Sequence, residues 1–211
     1  MKKFFYICLS LFLVLFITSF AYASYIETFD TDTASFHYGY GTSFADGTVN
    51  WNGSGGNPGG YISGASSNLY AVWTYDTSSF GNVTGQIMTI DTMITDGETG
   101  TAQFYVGRNN QYYVDGTWNV GADTAWTTHT AALNSTNFTH WSGSTGSSLT
   151  LAEVLQAPDD VGIFFGGSTA SGTGDLKVDN FGFAPVPIPG AMWLLGSGLI
   201  GIVGIRRKLR K

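Results

Sequence analysis

Gln86-Ile87-Met88-Thr89-Ile90-Asp91-Thr92-Met93-Ile94 is the stretch that indicates the fold class. Met88, Ile90 and Ile94 are separated by even numbers of residues, and an extended chain would carry them on one side of its pleat. The intervening positions are partly polar. The pattern therefore predicts a β-strand with one buried face.

Similar signals recur along the chain, separated by breaks rich in Gly, Asn and Ser. Aromatic and β-branched residues favour strands, and these breaks favour turns. Gly-Arg-Asn-Asn at 107–110 resembles a hairpin turn between two of the strands. The pattern predicts an all-β fold, a single antiparallel sandwich over residues 24–185. The other predicted strands are 24–30, 68–75, 101–106, 111–114, 161–165 and 176–183.

One short helix is expected inside this sandwich. Thr150 and Glu153 have the spacing of a capping box, in which each side chain bonds the other residue's backbone amide. Leu149 and Val154 occupy the positions of a hydrophobic staple. Pro158 disfavours helix before it, so the helix should end near Gln156.

The composition limits the classes of function. The 211-residue chain has 15 acidic residues, and between its two ends only Arg108 and Lys177 are basic. The part of the chain between the two ends is therefore strongly acidic. It repels the phosphates of nucleic acids, which argues against nucleic-acid binding. It suits extracellular solubility or binding of a hard cation. The single cysteine, Cys8, allows no disulfide framework.

Residues 1–23 have the features of a secretory signal peptide. Lys2 and Lys3 precede an apolar run, and Ala21-Tyr22-Ala23 has the small-x-small pattern of a cleavage site. Cleavage would make Ser24 the first residue of the mature chain. An uncleaved membrane anchor is the alternative.

Residues 186–211 combine three features in order: the proline motif Val186-Pro187-Ile188-Pro189-Gly190, an uncharged run from Ala191 to Ile205, and the basic cluster Arg206-Arg207-Lys208. A helix over the uncharged run is about 22 Å long, short of the roughly 30 Å hydrocarbon core. Counted from Ile188 it becomes a marginal transmembrane helix, with the basic cluster holding its end in the cytoplasm. An ordinary C-terminal membrane anchor is the alternative.

This order of motif, apolar run and basic cluster resembles the PEP-CTERM sorting tail of Gram-negative bacteria, in its Val-Pro-x-Pro-Gly variant. Ile188 stands where the family's core has Glu. The resemblance implies export, and retention at the cell envelope by a membrane helix. It also implies processing by exosortase, a membrane-embedded cysteine transpeptidase, and then a place at the cell surface or outside. Hosts of this family often make exopolysaccharide.

The sequence gives little sign of catalysis. His37, His129 and His140 are scattered, and the chain has neither a Gly-x-Ser-x-Gly elbow nor a phosphate-binding loop. We therefore expect a protein that is not an enzyme. A secreted glycan-acting hydrolase is the alternative, because two of the 15 acidic residues could meet in a groove.

The body has a second resemblance, which rests on the order of several short strings. Asn57-Pro58-Gly59-Gly60-Tyr61-Ile62, Val72-Trp73-Thr74-Tyr75, Phe80-Gly81-Asn82, Trp126, the helix, and Leu176-Lys177-Val178-Asp179-Asn180-Phe181 follow one another as in bacterial laminin B (domain IV) modules. Those modules are similar to galactose-binding-like jelly rolls, which include many carbohydrate-binding modules. The resemblance implies a jelly roll that is a non-catalytic binding or matrix domain.

A calcium ion is common between the first and last strands of such jelly rolls. The resemblance therefore implies a calcium site at Glu27, Asp30 and Asp179, since calcium prefers oxygen ligands. The alternative is a surface Asp followed by Asn180 in a turn.

Sugar binding needs exposed aromatic rings with polar neighbours. Trp73 and Trp126 fall in predicted strands and are expected in the core. The aromatic residues in the predicted loops are the candidates for such rings. The alternative is that they only cover the ends of the sandwich. We expect an exported, envelope-sorted binding or matrix protein associated with extracellular polysaccharide; a purely structural biofilm component is a further alternative. The candidate ring platform comprises loop aromatics that lie among Gly, Asn and Ser: Trp51, Tyr61, Tyr112, Tyr113, Trp118 and Trp141.

The two ends generate the first prediction. The extracellular form should lack residues 1–23 and most of 186–211, because both are predicted to be removed during export and sorting. Intact-mass spectrometry of the secreted protein measures this.

Replacing Arg206, Arg207 and Lys208 with Ser should slow processing, since these charges orient the span. Full-length chain in the culture medium would contradict the prediction.

Overall fold

A computed structural model describes residues 25–40, 45–47, 49–75, 80–94, 101–134, 136–145, 148–165 and 170–185. The predicted signal peptide, its cleavage site and the motif and helix of the sorting tail lie outside these ranges. Within them, no helix has the length and apolarity needed to cross a membrane.

The described chain forms twelve strands, one 3₁₀ turn at Val120–Ala122 and one α-helix, α1, at Leu151–Gln156. The strands are Tyr25–Glu27 (β1), Phe36–Tyr40 (β2), Ala45–Gly47 (β3), Asn50–Gly56 (β4), Gly59–Tyr75 (β5), Gln86–Ile94 (β6), Thr101–Arg108 (β7), Gln111–Asn119 (β8), Thr127–Ala132 (β9), Thr139–His140 (β10), Asp160–Phe165 (β11) and Ala170–Pro185 (β12).

All strand pairs are antiparallel, in the order β10-β8-β7-β11-β5-β12-β6-β9. The long strands β5 and β12 connect the two layers of the sandwich. The first half of β5 pairs with β4 and β12, and its second half pairs with β2 and β11. β12 pairs first with β5 and then with β6 and β1. The predicted all-β antiparallel sandwich with one short helix is confirmed.

The main core lies between the layers. Met88, Ile90 and Ile94 of β6 are buried, as their spacing predicts. They belong to one apolar cluster with Phe104 and Ile163 from the other layer. Fully burying a side chain of this size stabilises a fold by about 1.5–3 kcal/mol. The two-residue alternation of these strands therefore determines how the layers face each other.

The β7–β8 hairpin confirms the predicted turn and shortens it. Asn109 and Asn110 connect the strands with φ angles of 52° and 62°. A two-residue hairpin turn with both central residues in the left-handed region matches the twist of the strands, and Asn tolerates that region.

The helix α1 has the predicted caps. The Thr150 hydroxyl accepts from the Glu153 amide at 3.4 Å, and the Glu153 carboxylate accepts from the Thr150 amide at 2.8 Å. Leu151, Val154 and Leu155 are buried against the core, so packing as well as capping holds the short helix.

One expectation about strands is wrong, and several strands were not expected. Trp126 does not lie in a strand; it precedes β9 and is half-buried. The strands β2, β3, β4 and β10 and the first half of β5 were not predicted from sequence. β4 has the sequence Asn-Trp-Asn-Gly-Ser-Gly-Gly, in which apolar residues do not alternate with polar ones. It forms a strand because its backbone pairs with β5, not because one of its faces is buried.

Two glycines with positive φ provide a stability test. Gly59 has φ of +96°, and an added Cβ would lie 2.0 Å from Oδ1 of Asp30. Gly81 has φ of +74° and nothing within 4 Å. Gly81→Ala should cost about 1 kcal/mol through backbone strain alone, and Gly59→Ala about 2–4 kcal/mol because Asp30 must also move. Urea unfolding followed by tryptophan fluorescence measures both; equal losses would contradict the packing described here.

Candidate functional site

The outer face of one layer carries a second aromatic cluster. Side chains alternate along β7, β8 and β11, so the residues between the core positions face outward. Tyr105, Val114 and Phe164 are buried there, and Trp73, Tyr112 and Trp141 pack against them. This half of the sandwich is therefore apolar on both faces, which is unusual for an antiparallel sheet exposed to water.

Strand register places glycines next to these rings. Gly162 of β11 is paired with Trp73 of β5 on one side and with Tyr105 of β7 on the other. Along the same face, Asp160 is paired with Gly107, which is itself paired with Tyr112. Glycine thus alternates with large side chains along this face.

Two of these rings lie against glycine backbone. A Cβ added at Gly39 would lie 2.6 Å from the Trp73 ring, and one at Gly107 would lie 2.5 Å from the Tyr112 ring. His37 also stacks on Trp73, with ring centroids 5.6 Å apart. Contact with backbone and neighbouring rings fixes both rings in orientation before any ligand arrives.

These rings border a recess of about 270 Å³, which we name the outer-face cleft. Its amide and carboxylate groups come from the β7–β8 turn and from the start of β11. The lining residues are Trp73, Asn109, Asn110, Tyr112, Asp159 and Asp160.

Asp160 is the titratable group at the base of the cleft. The Tyr105 hydroxyl donates to its Oδ1 at 2.7 Å. Burial raises the pKa of Asp160 to about 6; hydrogen bonds from Tyr105 and Tyr112 act to lower it, and the charge of Asp159 raises it. Burial, and then the Asp160 charge, raise the pKa of Tyr105 well above its usual value. Tyr105 is therefore a neutral donor at any physiological pH.

Asp159 fixes the turn that forms one wall of the cleft. Its Oδ2 accepts from the Asn109 amide at 3.2 Å, and its own amide donates to the Gly107 carbonyl at 3.0 Å. On the other side, the Ser144 hydroxyl accepts from the Tyr112 amide at 2.9 Å. Hydrogen bonds from the backbone amides of Asn109, Tyr112 and Asp159 therefore hold both walls.

The structure brings together only two of the predicted platform residues. Tyr112 and Trp141 form an edge-to-face pair with centroids 6.0 Å apart. Tyr113 packs toward the main core, and its hydroxyl donates to the Leu149 carbonyl at 2.8 Å. Trp118 also packs on the main core and stacks on His129 at 4.4 Å.

Trp51 and Tyr61 lie away from the cleft. The Trp51 indole N–H donates to the Phe29 carbonyl at 2.7 Å. Tyr61 contacts Trp126, with centroids 5.8 Å apart. Trp73, expected in the main core, instead lies half-buried beside the cleft, because it follows the core residue Val72 and so faces outward.

The predicted calcium ligands lie near a cluster of carboxylates and amides. Asp179 is fully buried, and its two oxygens accept from the backbone amides of Asn57 and Asn180, the latter at 2.7 Å. Asp91 accepts from the side-chain amides of the same two asparagines, at 3.0 and 2.7 Å. Burial raises the pKa of Asp179, the two amide donors lower it, and the charges of Asp91 and Asp30 raise it further.

These oxygens already have hydrogen-bond donors. Asp30 accepts from the Gly60 amide and the Thr28 hydroxyl, and Glu27 accepts from the Phe29 amide. Among the residues that the structure describes, no three His, Cys, Asp or Glu side chains are grouped as metal ligands would be. In this arrangement N–H and O–H donors approach the carboxylates of Glu27, Asp30 and Asp179. Calcium binding by them stays a prediction.

Comparison with known families identifies the tail. Residues 185–208 match the PEP-CTERM protein-sorting motif, which confirms the resemblance found in the sequence. A motif of this kind indicates a chain that is exported and sorted to the cell envelope. No curated protein sequence matches the chain.

Solved structures identify the fold. A family 11 carbohydrate-binding module from Clostridium thermocellum, in complex with a β-1,3-1,4-mixed-linked tetrasaccharide, matches with a TM-score of 0.58 at 13% identity, over 79% of this chain and 98% of that one. An exo-β-agarase matches with a TM-score of 0.55 at 11% identity, over 79% of this chain but 25% of the agarase.

A Clostridium thermocellum xylanase 10B with CBM22-1 and GH10 modules, complexed with xylohexaose, matches with a TM-score of 0.49 at 11% identity. This chain spans 28% of that xylanase and the match covers 76% of this chain. At these identities the likeness establishes the fold alone. The body has a jelly-roll fold like that of carbohydrate-binding modules, and the chain ends in a PEP-CTERM sorting motif. The laminin B resemblance stays a prediction.

Asp160 gives a pH-dependence prediction. Its pKa of about 6 in the folded state exceeds the unfolded value of about 3.9, so the folded chain binds this proton more tightly. The stabilisation that protonated Asp160 gives the folded chain is complete below pH 4 and is lost as the pH rises through 6. Between pH 4 and 7.5 the free energy of unfolding should therefore fall by on the order of 1–2 kcal/mol more in the wild type than in Asp160→Asn.

Chemical denaturation at a series of pH values measures this difference. Asp115→Asn is the control, because it removes a carboxylate of β8 that lines no part of the cleft. Parallel pH profiles for the wild type and Asp160→Asn would show that burial does not perturb this carboxyl.

Proposed function

We propose that this protein binds carbohydrate, without chemical conversion, in the outer-face cleft. The observation that carries the proposal is the pair of rings, Trp73 and Tyr112, held against Gly39 and Gly107 beside a recess lined with amides and carboxylates. Rigid rings next to hydrogen-bonding groups are what a sugar requires.

The two surfaces of a pyranose explain this requirement. Its C–H face is apolar and packs on an aromatic ring, while its equatorial hydroxyls need acceptors and donors at the ring's edge. In the cleft, Trp73 and Tyr112 supply ring surface, Asp159 supplies an acceptor, and Asn109 and Asn110 supply amides. Because the walls are already fixed, binding costs little ordering of side chains.

The fold supports the same function. The family 11 module that resembles this chain was solved with a mixed-linked tetrasaccharide, and the match extends over 98% of that module. A β-linked glucan oligosaccharide is therefore a sensible first probe for this chain. The fold does not select the ligand, because side chains and not the backbone architecture determine specificity.

The sorting motif supports a location for this binding. We infer cleavage of the signal peptide after Ala23, recognition of the tail by an exosortase-type membrane transpeptidase, and temporary retention by a helix in the membrane. The ligand would then be extracellular polysaccharide at the cell envelope. A chain released to the surface with its cleft intact would act as a matrix protein.

A glycan-acting hydrolase is favoured by one observation, the raised pKa of Asp160 beside a second carboxylate, Asp159. Each group has another task, however. Asp159 holds the turn through the Asn109 amide, and Asp160 accepts from Tyr105. Prolonged incubation with oligosaccharides should release no shorter products; release that Asp160→Asn abolishes would establish the hydrolase instead.

The binding prediction concerns the two rings. Trp73→Ala and Tyr112→Ala should each weaken binding of the mixed-linked tetrasaccharide, or of the best ligand from a glycan array, at least tenfold, since a tenfold change is about 1.4 kcal/mol. Calorimetric titration of the purified full-length chain measures this.

Trp51→Ala is the matched control, because Trp51 is an exposed tryptophan outside the cleft. It should leave the affinity unchanged. If no glycan on the array binds, or if Trp51→Ala weakens binding as much as Trp73→Ala, the proposed site is wrong and a purely structural role becomes the better explanation.

A further inference from the structure

We propose that the outer-face cleft selects sugars that carry a protonated amino group, such as 2-amino-2-deoxy sugars, over neutral and uronic sugars. This proposal rests on the proposed function and adds the chemical class of the ligand. It follows from the charges, rings and unused acceptors that line the cleft.

The charge of the cleft has one sign. Its lining contains two carboxylates, Asp159 and Asp160, and neither Lys, Arg nor His. Arg108 adjoins the lining residue Asn109 in the chain, but its guanidinium donates to the Glu153 carbonyl of α1 at 3.2 Å. A uronic acid would therefore bring a carboxylate to two others, and like-charge juxtaposition is strongly unfavourable.

The rings suit a cation as well as a sugar. An ammonium group within about 6 Å of an indole or phenol centroid is attracted by the ring's negative face. Trp73 and Tyr112 border the same recess as the two carboxylates. An amino sugar can therefore pack its C–H face on one ring while its ammonium group approaches both a ring and a carboxylate.

Asp159 offers a carboxylate oxygen to this ammonium group. Oδ1 of Asp160 accepts from Tyr105, and Oδ2 of Asp159 accepts from the Asn109 amide. Among the described residues, Oδ1 of Asp159 has no hydrogen-bond donor, and Asp159 is only half-buried. A charge-assisted hydrogen bond to this oxygen is about twice as strong as a neutral one.

The environment of Asp160 adds a reason for a cationic ligand. Its carboxylate faces Tyr105 of β7, Tyr112 of β8 and the neighbouring Asp159, and none of these is a cation. Its charge is thus partly desolvated without a positive partner. An ammonium group would supply that partner, as an opposite charge stabilises a buried carboxylate.

The test compares four hexasaccharides on the purified full-length chain by calorimetric titration at pH 6.5, at low salt and at 0.15 M salt. The probes are the glucosamine hexamer, its N-acetylated counterpart, cellohexaose and hexagalacturonate. The glucosamine hexamer should bind at least tenfold more tightly than cellohexaose, and hexagalacturonate weakest of all. A tenfold preference corresponds to one charge-assisted contact of about 1.4 kcal/mol.

Three variants assign the preference to the cleft. Asp159→Asn and Asp160→Asn should each reduce the preference of the cleft for the glucosamine hexamer over cellohexaose at least threefold. Two variants are used so that a folding defect in one, detected by thermal melting, leaves the other informative. Asp115→Asn removes the same charge outside the cleft and should leave the preference unchanged.

The contrary outcomes separate the two proposals. Equal affinity for the glucosamine hexamer and cellohexaose, or tighter binding of hexagalacturonate, overturns the amino-sugar proposal and retains carbohydrate binding. The preference could also fall as much in Asp115→Asn as in Asp159→Asn, or vanish at 0.15 M salt. Either result shows non-specific attraction to an acidic protein and overturns the amino-sugar proposal. Binding of none of the four overturns the amino-sugar proposal, and carbohydrate binding falls with it only if no glycan on the array binds either.

Discussion

The two-residue alternation of β-strands is the constraint on which the rest of this structure depends. Inward residues such as Phe104 and Ile163 build the core between the layers, and this fixes the register of β7 and β11. The residues between them must then face outward. On this half of the sandwich they are also large and apolar, so they shield one another from water by packing ring against ring. Trp141, for example, packs edge-to-face on Phe164 at 5.0 Å.

The properties of the outer-face cleft follow from the same constraint. Asp160 begins β11 on the outer side, and the register pairs it with Gly107 rather than with a residue that could neutralise it. Aromatic neighbours then bury it, which raises its pKa to about 6. Gly39 and Gly107 let the rings of Trp73 and Tyr112 approach the backbone. The packing of a sheet that is apolar on both faces thus generates both the ring surface and the acidic character of the site.

The sequence predicts those parts whose causes are local. The alternation of 86–94, the Asn109-Asn110 turn and the Thr150–Glu153 capping box each depend on a few adjacent residues, and each appears as expected. The cleft does not, because Trp73, Tyr112 and Asp160 meet only through the pairing of β5, β11, β7 and β8. Of the six predicted platform residues, only Tyr112 and Trp141 come together, since Tyr113 alternates to the opposite face. Placing Trp73 would have required knowing that Val72, not Trp73, faces the core.

The proposed cleft and the sorting motif belong to different layers of the sandwich. The cleft lies on β5, β7, β8 and β11, whereas the sorting motif begins at Pro185, where β12 ends paired with Gln86 of β6. The sorting motif therefore continues from the layer that does not carry the cleft. Likeness to a family 11 carbohydrate-binding module at 13% identity shows that the two proteins share a backbone architecture although most of their side chains differ. Under the proposed function, specificity resides in the few residues of the cleft, and these can vary without disturbing the core between the layers.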